Sequence, residues 1–456
     1  MQSSNQTDDG HLQRGAVLTE GTHLFSKAKF GFPAVFLLGL MGGVATPEAQ
    51  AADLDLSSSQ PSPSLFDQKY LTGNWGGYRD ELASHGFIFD FQLTQFYQGL
   101  LSGTGDKDWE YGGKADYSLI FVGDLAGLKG FTAVIHGETK FGHDINTLAG
   151  LTPPNVNMLY PEPNRAHSHL TGWLLTQDIT DDGWALAAGK LNGLDLMDMV
   201  WHTGRGVDKF MNTAMVLPMG LLRSTNLSIM GAGVLKKRGH EIEGGLVFYD
   251  TNNSSATSGF DNLFGDGVVI LGLWRFFYDV GDLAGNSLIF ANYSTKTFKT
   301  LDPSGWAYIP GVGLDIDDAQ GTWTVGYTFD QMLWADASNP KRNVAMSGQF
   351  SVTDGNPSPI KWTASVGLEV NGIASRDDDS VGLGFFYQGL SDDFVDLLGG
   401  LSQDAIELED AAGFEVYYKM QLAPLLAVTA DLQVVDTNVA ADDTVVIGAL
   451  RTNIKF

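Results

Sequence analysis

Segments in which apolar and polar residues alternate recur from residue 87 to the end of the chain, and this repetition constrains the fold most. In the segment 426–434 (LAVTADLQV), every second residue is apolar and most residues between them are polar. The same pattern occurs at 87–94, 322–329, 344–352, 362–370 and 414–422. Successive side chains of a β-strand point to opposite faces, so each segment predicts a strand with one apolar and one polar face.

The length of these segments favours a membrane barrel over a soluble sheet. A tilted strand needs about 9–11 residues to cross a bilayer, whereas strands of soluble proteins have a mode of about 5–6. Short turn signals at 181–183 (DDG) and 354–356 (DGN) alternate with long connections rich in Asp, Asn and Gly. Short turns at one end and long loops at the other are typical of outer-membrane barrels. We therefore predict an all-β fold, a transmembrane antiparallel up-and-down β-barrel over residues 87–456.

The composition limits the chain to a few classes of protein. Its 456 residues carry a formal net charge of −27, so a basic face for nucleic-acid phosphates is not expected. The chain has no cysteine, which excludes disulfide-bonded scaffolds and thiolate zinc sites. His167 and His169 have the spacing of metal ligands but lack an evident third ligand. We predict neither a metal site nor a cofactor.

The N-terminal region predicts export from the cytoplasm. Lys27 and Lys29 precede the apolar run 30–44 (FGFPAVFLLGLMGGV), and the small residues of 49–51 (AQA) follow it. This order is typical of a signal peptide that comprises residues 1–51. The alternative is a membrane anchor, for which the apolar run is short. The polar extension ahead of Lys27 exceeds what export needs, which suggests that translation begins further along the chain.

Residues 52–86 separate the signal peptide from the barrel. The first part is rich in Ser and Pro and predicts a linker, and a short helix is expected at about 77–84, ended by Gly86. At its other end the chain finishes on Phe456, after alternating apolar residues in 446–454. This terminal aromatic residue resembles the assembly signal of bacterial outer-membrane barrels.

Three segments resemble the carbohydrate-selective porin family (OprB type). The segment 71–79 (LTGNWGGYR) is similar to the family's opening pattern L-x-G-x-W-G-G-x-R. The segment 384–391 (GFFYQGLS) resembles the family's strand pattern G-x-x-Y-x-G-L, and the segment 415–456 resembles its last two strands. The likeness is weak between about residues 195 and 340.

The resemblance implies a barrel of about 16 strands with a short N-terminal periplasmic helix. It implies a Gram-negative outer-membrane channel for mono- and small oligosaccharides, more often a monomer than a trimer. Its other partners would be outer-membrane lipid, lipopolysaccharide and the barrel assembly machinery. In the opening segment we expect Trp75, Gly76, Gly77 and Arg79 to be structural, fixing the helix against the periplasmic end of the barrel.

Alternation also predicts which residues face the lumen. A sugar is neutral and rich in hydroxyls, so charged and amide side chains are suitable partners. The predicted inward residues of this kind carry both signs of charge: Asp90, Lys114, Asp116, His136, Glu138, Lys140, Gln177, Glu243, Glu369, Glu415, Lys419, Asp431, Arg451 and Lys455. For the constriction we select Lys114, Glu138 and Lys140 from the wall, and Trp201 and Arg205 from a loop flanked by glycine.

Two alternative functions stay open at this point. A general or cation-preferring porin would have the same strands. A secreted glycoside hydrolase or carbohydrate-binding β-protein would need two facing carboxylates, which the many Asp and Glu residues permit. The long two-faced strands and the terminal Phe456 favour the porin, so we do not expect an enzyme.

Overall fold

The computed structural model describes residues 64–161, 167–200, 204–239 and 241–456. The predicted signal peptide and most of the predicted linker lie outside the described residues. Within these ranges, no helix is both long enough and apolar enough to cross a membrane.

Strands make up most of the described chain. They are β1 (Phe87–Ser102), β2 (Trp109–Val122), β3 (Phe131–Gly142), β4 (Ser168–Asp178), β5 (Trp184–Asn192), β6 (Ser228–Arg238), β7 (Glu241–Asp250), β8 (Val268–Val280), β9 (Leu283–Lys299), β10 (Trp306–Ile309), β11 (Gly313–Ile316), β12 (Asp318–Asp336), β13 (Asn339–Thr353), β14 (Ile360–Ile373), β15 (Arg376–Leu390), β16 (Ala411–Ala423), β17 (Leu426–Asp436) and β18 (Val445–Lys455).

The helices are short. The α-helices are α1 (Tyr78–Ser84), α2 (Gly193–Val200), α3 (Thr213–Val216) and α4 (Asp392–Ser402). Single 3₁₀ turns occur at Leu65–Asp67, Trp75–Gly77, Gly123–Ala126, Asn146–Ala149, Val156–Leu159, Met219–Arg223 and Pro303–Gly305.

Sixteen strands form one closed antiparallel barrel, which confirms the predicted fold. Each strand pairs with the next along the chain, and β9 pairs with β12 because β10 and β11 form a separate hairpin. Closure comes from β1 and β18, where Gln92 lies opposite Lys455 and Tyr97 lies opposite Leu450. No barrel strand is therefore left with an unpaired edge, as a membrane-spanning sheet requires.

The two faces of the wall have the polarity that a lipid environment requires. In β12, Trp323 and Val325 are 40% and 42% exposed, whereas Thr324 between them is 2% exposed. In β16, Phe414 is 54% exposed and the neighbouring Glu415 is fully buried. In these two strands apolar side chains thus face outward and polar ones inward, the reverse of a soluble protein and the arrangement of an outer-membrane barrel.

Two predicted inward positions need correction. Gln177 lies opposite Leu186, which is 49% exposed on the outer face. The pairing of β3 with β4 shifts between His136 and Gly137 and skips Thr171 of β4, so the alternation in β4 changes phase ahead of Gln177. Glu243 lies at a second register shift, between the pairs Lys236–Gly244 and Lys237–Ile242 that join β6 and β7. It has no partner in β6, so alternation does not assign it to the inner face. A single extra residue in a strand reverses the faces of all residues beyond it.

The two ends of the barrel have different connections. At the end where α1 lies, four connections are the residue pairs 281–282, 337–338, 374–375 and 424–425; we call this the turn end. At the opposite end, the loop end, the connections include 143–167, 193–227 and 391–410. Residues 354–356, predicted as one of the short turns, belong instead to the loop end, within the connection 354–359.

The opening segment contacts the last residue of the chain. The guanidinium of Arg79 donates a hydrogen bond of 2.8 Å to the main-chain oxygen of Phe456. It also lies over the rings of Tyr70 and Trp75, at 3.8 and 4.5 Å from their centroids. Trp75, Gly76 and Gly77 have φ values of 50°, 67° and 99°, a left-handed turn that glycine adopts without a steric penalty. This turn directs α1 against the start of β1.

Two loop-end connections fold into the barrel. We call the described residues 143–161 and 167 of the first connection the short lumen segment, and the described residues 193–200 and 204–227 of the second, which contain α2 and α3, the long lumen segment. Val156 N of the short segment donates to Met211 O of the long segment at 2.9 Å, so the two pack together. Apolar residues of both segments pack with inward residues of β14 to β17 in a core that comprises Val156, Leu194, Phe210, Met215, Ile360, Phe386, Tyr417 and Val435.

Candidate functional site in the lumen

Charged residues of β2 and β3 form an ion-paired group on the inner wall. Asp116 lies opposite Glu138 in the antiparallel pair, and Lys114 lies opposite Lys140. The ammonium of Lys114 is 2.6 Å from Glu138 Oε1, and both side chains are fully buried. Alternation along the two strands brings these residues to one face, as the sequence predicts.

Arg205 of the long lumen segment connects this group to the loop. Its guanidinium NH2 is 3.0 Å from Glu138 Oε1 and 3.3 Å from Asp116 Oδ1. Its Nε is 3.1 Å from Asp195 Oδ1 in α2. We call Lys114, Asp116, His136, Glu138, Asp195 and Arg205 the lumen cluster. Arg205 and Asp195 are its partly exposed members, at 10% and 21%.

His136 completes the lumen cluster. Its Nδ1 is 2.7 Å from Asp195 Oδ2 and its Nε2 is 3.2 Å from Asp116 Oδ1. Carboxylates only accept hydrogen bonds, so the ring of His136 donates to both of them in its protonated, cationic form. The lumen cluster then contains three cations and three anions. A charge-balanced surface attracts neither sign of ion over a neutral solute.

The lumen cluster has some features of a metal site. Ligand atoms of Asp116, His136 and Glu138 lie within 4.8 Å of one another. Their carboxylate oxygens already accept from Lys114 and Arg205, however, so side-chain cations occupy the positions around them.

The other selected residues have different positions. The ammonium of Lys140 donates to Met158 O of the short lumen segment at 2.7 Å and holds that segment against the wall. Trp201 lies outside the described residues. The structure thus brings together Lys114, Glu138 and Arg205, and places Lys140 beside a second loop contact. That these residues contact a sugar stays a prediction.

Sequence reasoning missed two residues at this site. Asn192, the last residue of β5, donates to Glu138 Oε2 at 3.0 Å. Asp195 follows three positions later in α2 and pairs with both Arg205 and His136. Both lie at the point where the chain turns back into the lumen, which no local pattern marks.

The far side of the long lumen segment is held by the opposite wall. The fully buried carboxylate of Glu415 in β16 accepts from the backbone N–H groups of Met211 and Asn212, the latter at 2.9 Å. Arg451 of β18 donates to Gly206 O at 3.0 Å. The segment is therefore fixed at both walls and crosses the lumen.

Below the long lumen segment, at the turn end, lies a cavity of about 380 Å³ that we call the polar vestibule. Lys209 of the segment reaches Glu369 of β14 at 3.3 Å, and Asn371 donates to Glu369 and Asn343 at 3.0 Å each. Phe277 of β8 also lines this cavity. Amide, carboxylate, ammonium and aromatic groups therefore share one surface.

The sequence model described as "Carbohydrate-selective porin, OprB family" matches residues 122–456. The chain belongs to this family. The match includes the region 195–340, where the likeness of individual motifs is weak, and it does not include the opening segment 71–79. No curated protein sequence matches the chain.

One solved porin shares the fold of this OprB-family member. The high-pH structure of Pseudomonas putida OprB has a TM-score of 0.74 at 17% identity, covering 86% of this chain and 99% of that one. The low-pH structure of the same protein has a TM-score of 0.49 at 14% identity, with the same coverage. OmpT of Vibrio cholerae, as a loop L8 deletion mutant, has a TM-score of 0.45 at 11% identity over 81% of this chain and 99% of that one. The family and fold identify an outer-membrane β-barrel porin.

Proposed function

We propose that this OprB-family porin lets mono- and small oligosaccharides diffuse passively through its lumen, past a polar constriction set by the two lumen segments. The charge balance of the lumen cluster carries the proposal. A pore for anions or cations needs an excess of one sign along its path, whereas a neutral solute needs hydrogen-bonding groups without a net field. The family to which the chain belongs supports the same class of solute.

Within this proposal, the selected residues have two kinds of role. Lys114 and Glu138 are fully buried, so they act by positioning Arg205, which reaches the lumen. Lys140 acts in the same way through the short lumen segment. Arg205 and Asp195 offer their exposed edges to sugar hydroxyls. The constriction is therefore a loop surface whose position the buried charges determine.

The polar vestibule provides the next set of contacts. A cavity of about 380 Å³ lies within the range of about 300–1,000 Å³ that small-molecule sites occupy. The amides of Asn343 and Asn371 can donate and accept, and Phe277 offers an apolar surface for a sugar ring. These groups suit a solute with hydroxyls at its edge and C–H groups on its faces.

The proposal extends to the orientation of the chain. We place the turn end and the N-terminal helix in the periplasm. Residues 1–51 are removed on export, so the mature chain begins with residues 52–63, ahead of the described region. We further propose a monomer that contacts lipopolysaccharide at the loop end. It is a channel and not an enzyme.

Swelling of proteoliposomes tests the proposed function. We expect fast swelling in hexoses, slower swelling in di- and trisaccharides, and slow swelling in a hexosamine, a hexuronate and amino acids. Equal swelling rates for all solutes of one size would show that the protein is a general porin. Faster swelling in cationic solutes would show that it prefers cations. Release of reducing ends from an oligosaccharide inside the vesicles would favour the hydrolase.

A matched pair of lysine variants locates the path of the solute. Lys209→Ala removes a positive charge from the polar vestibule, and Lys341→Ala removes one from an exposed ion pair near the turn 337–338. We expect Lys209→Ala to speed the hexosamine relative to the hexuronate, because Glu369 loses its ion-pair partner. Lys341→Ala should leave this ratio unchanged. Identical ratios in both variants would show that solutes do not pass the vestibule.

A further inference from the structure

One side of the inner wall is apolar, in contrast to the polar wall around the lumen cluster. Inward side chains of β6 to β9 pack in a single apolar group that includes Leu235, Val247, Leu288 and Phe290. Leu271 and Leu273 of β8 border the same group. A pathway for free sugars uses single rings such as Phe277 but does not require an apolar surface of this extent, because water-filled porin lumens are polar.

The long lumen segment closes this surface into a cavity of about 260 Å³, which we call the apolar chamber. Leu196 and Met197 of α2 and Leu221 of the same segment form its inner side. A cavity of about 150 Å³ with a similar apolar lining holds a benzene molecule. The apolar chamber therefore has room for an aromatic ring with substituents or for a short alkyl chain.

One edge of the apolar chamber is polar. His136, Asn192 and Asp195 line it together with the apolar residues. His136 and Asp195 belong to the lumen cluster, and Asn192 donates to Glu138 of that cluster. An apolar body with a few convergent polar groups is the usual composition of a small-molecule site. The ligand that fits this lining carries hydroxyls at one end and an apolar group at the other.

We propose that the apolar chamber binds the aryl or short alkyl group of a glycoside while the sugar lies against the edge formed by His136, Asn192 and Asp195. The inference rests on the proposed function, because it assumes that sugars reach the lumen cluster. It extends the substrate class from free sugars to glycosides with apolar aglycones. Full burial of a group the size of a Phe side chain is worth about 10- to 100-fold in affinity.

Equilibrium binding tests the chamber independently of transport. Titration calorimetry on the full-length protein in a detergent without a sugar head group would compare glucose, methyl β-glucoside and phenyl β-glucoside. We expect phenyl β-glucoside to bind about ten-fold more tightly than methyl β-glucoside. Equal affinities for the two glucosides would overturn the proposal.

Two variants locate the gain in affinity. Leu271→Asn keeps the side-chain size and introduces an amide into the apolar chamber, and Val134→Phe fills part of its volume. Ser347→Asn places the same amide in the polar vestibule as a control. We expect the first two variants to lose the preference for the phenyl group and the control to keep it. A preference that survives in both chamber variants, with heat-modifiable mobility showing folded barrels, would also overturn the proposal.

Failure of the proposed function has a separate signature. If hexoses do not swell the proteoliposomes but phenyl β-glucoside still binds about ten-fold more tightly than methyl β-glucoside, the chamber is a binding site and the diffusion proposal is wrong. If hexoses enter and the two glucosides bind equally, the diffusion proposal stands and the chamber proposal is wrong.

Discussion

Substitution of Arg205 by alanine would convert a charge-balanced constriction into a negative one. Arg205 lies within 3.3 Å of carboxylate oxygens of Asp116 and Glu138 and 3.1 Å from Asp195. In its absence the lumen cluster has two cations and three anions. The resulting unit of negative charge lies beside Asp195, the remaining member of the cluster that is partly exposed to the lumen.

The size of the effect follows from Coulomb's law. At about 7 Å and an effective dielectric constant of about 20, two unit charges interact with about 2.4 kcal/mol. Screening in about 0.1 M salt roughly halves this interaction, to about 1.2 kcal/mol. Since about 1.4 kcal/mol is a factor of ten, the local cation concentration rises and the anion concentration falls by about eight-fold each. The K⁺/Cl⁻ permeability ratio should therefore rise by at least on the order of ten-fold.

The reversal potential in a KCl gradient across a planar bilayer measures this ratio. We expect a clear shift towards the potassium equilibrium potential for Arg205→Ala and a small shift for Arg205→Lys, which keeps the charge. Arg342→Ala is the matched control, because it removes a cation from an ion pair with Asp377 at the turn end. An unchanged reversal potential in folded Arg205→Ala would refute the assignment of Arg205 to the ion path.

Three further predictions concern the anchors of the fold. Glu415→Gln weakens the hydrogen bonds that hold the long lumen segment by about 1.5–3 kcal/mol. Brief high-conductance events in single-channel records should therefore become at least ten-fold more frequent. Glu407→Gln, in an exposed loop, should leave their frequency unchanged. Arg79→Ala removes the contact with Phe456 O, and we expect a lower melting temperature of the detergent-solubilised barrel at unchanged conductance. Burial raises the pKa of Asp195, but Arg205 and His136 outweigh it and lower the pKa below its usual range. The stabilisation that ionised Asp195 gives to the folded lumen cluster is present above the unfolded pKa of this carboxyl and is lost as pH falls through its lower folded pKa. Sugar flux should therefore stay constant down to about pH 4. A fall in flux between pH 6 and pH 5 would contradict this.

The barrel could be predicted because its strands obey a local rule. Over residues 322–329 of β12 and most of residues 414–422 of β16, apolar and polar residues alternate, and a lipid face and a lumen follow directly from that pattern. The rule fails where a strand is apolar on both faces. The segment 268–273 (VVILGL) of β8 is such a strand, and alternation cannot indicate that its inner face belongs to an apolar chamber.

The site could be predicted only in part, for a related reason. Lys114 and Glu138 come from neighbouring strands, and their shared face follows from the pairing of β2 with β3. The contact between Glu415 and Met211 joins residues 204 positions apart, through a loop whose path into the barrel depends on many such contacts together. Periodicity contains no information on contacts of that range.

The lumen contacts also have a consequence for the order of events during biogenesis. The long lumen segment ends before β6 begins, but the residues that hold its far side, Glu415 and Arg451, belong to β16 and β18. These partners are translated last. A nascent barrel therefore has its permeability barrier incomplete until the final hairpin closes against β1, and a truncated chain that lacked this hairpin would leak solutes that the mature porin excludes.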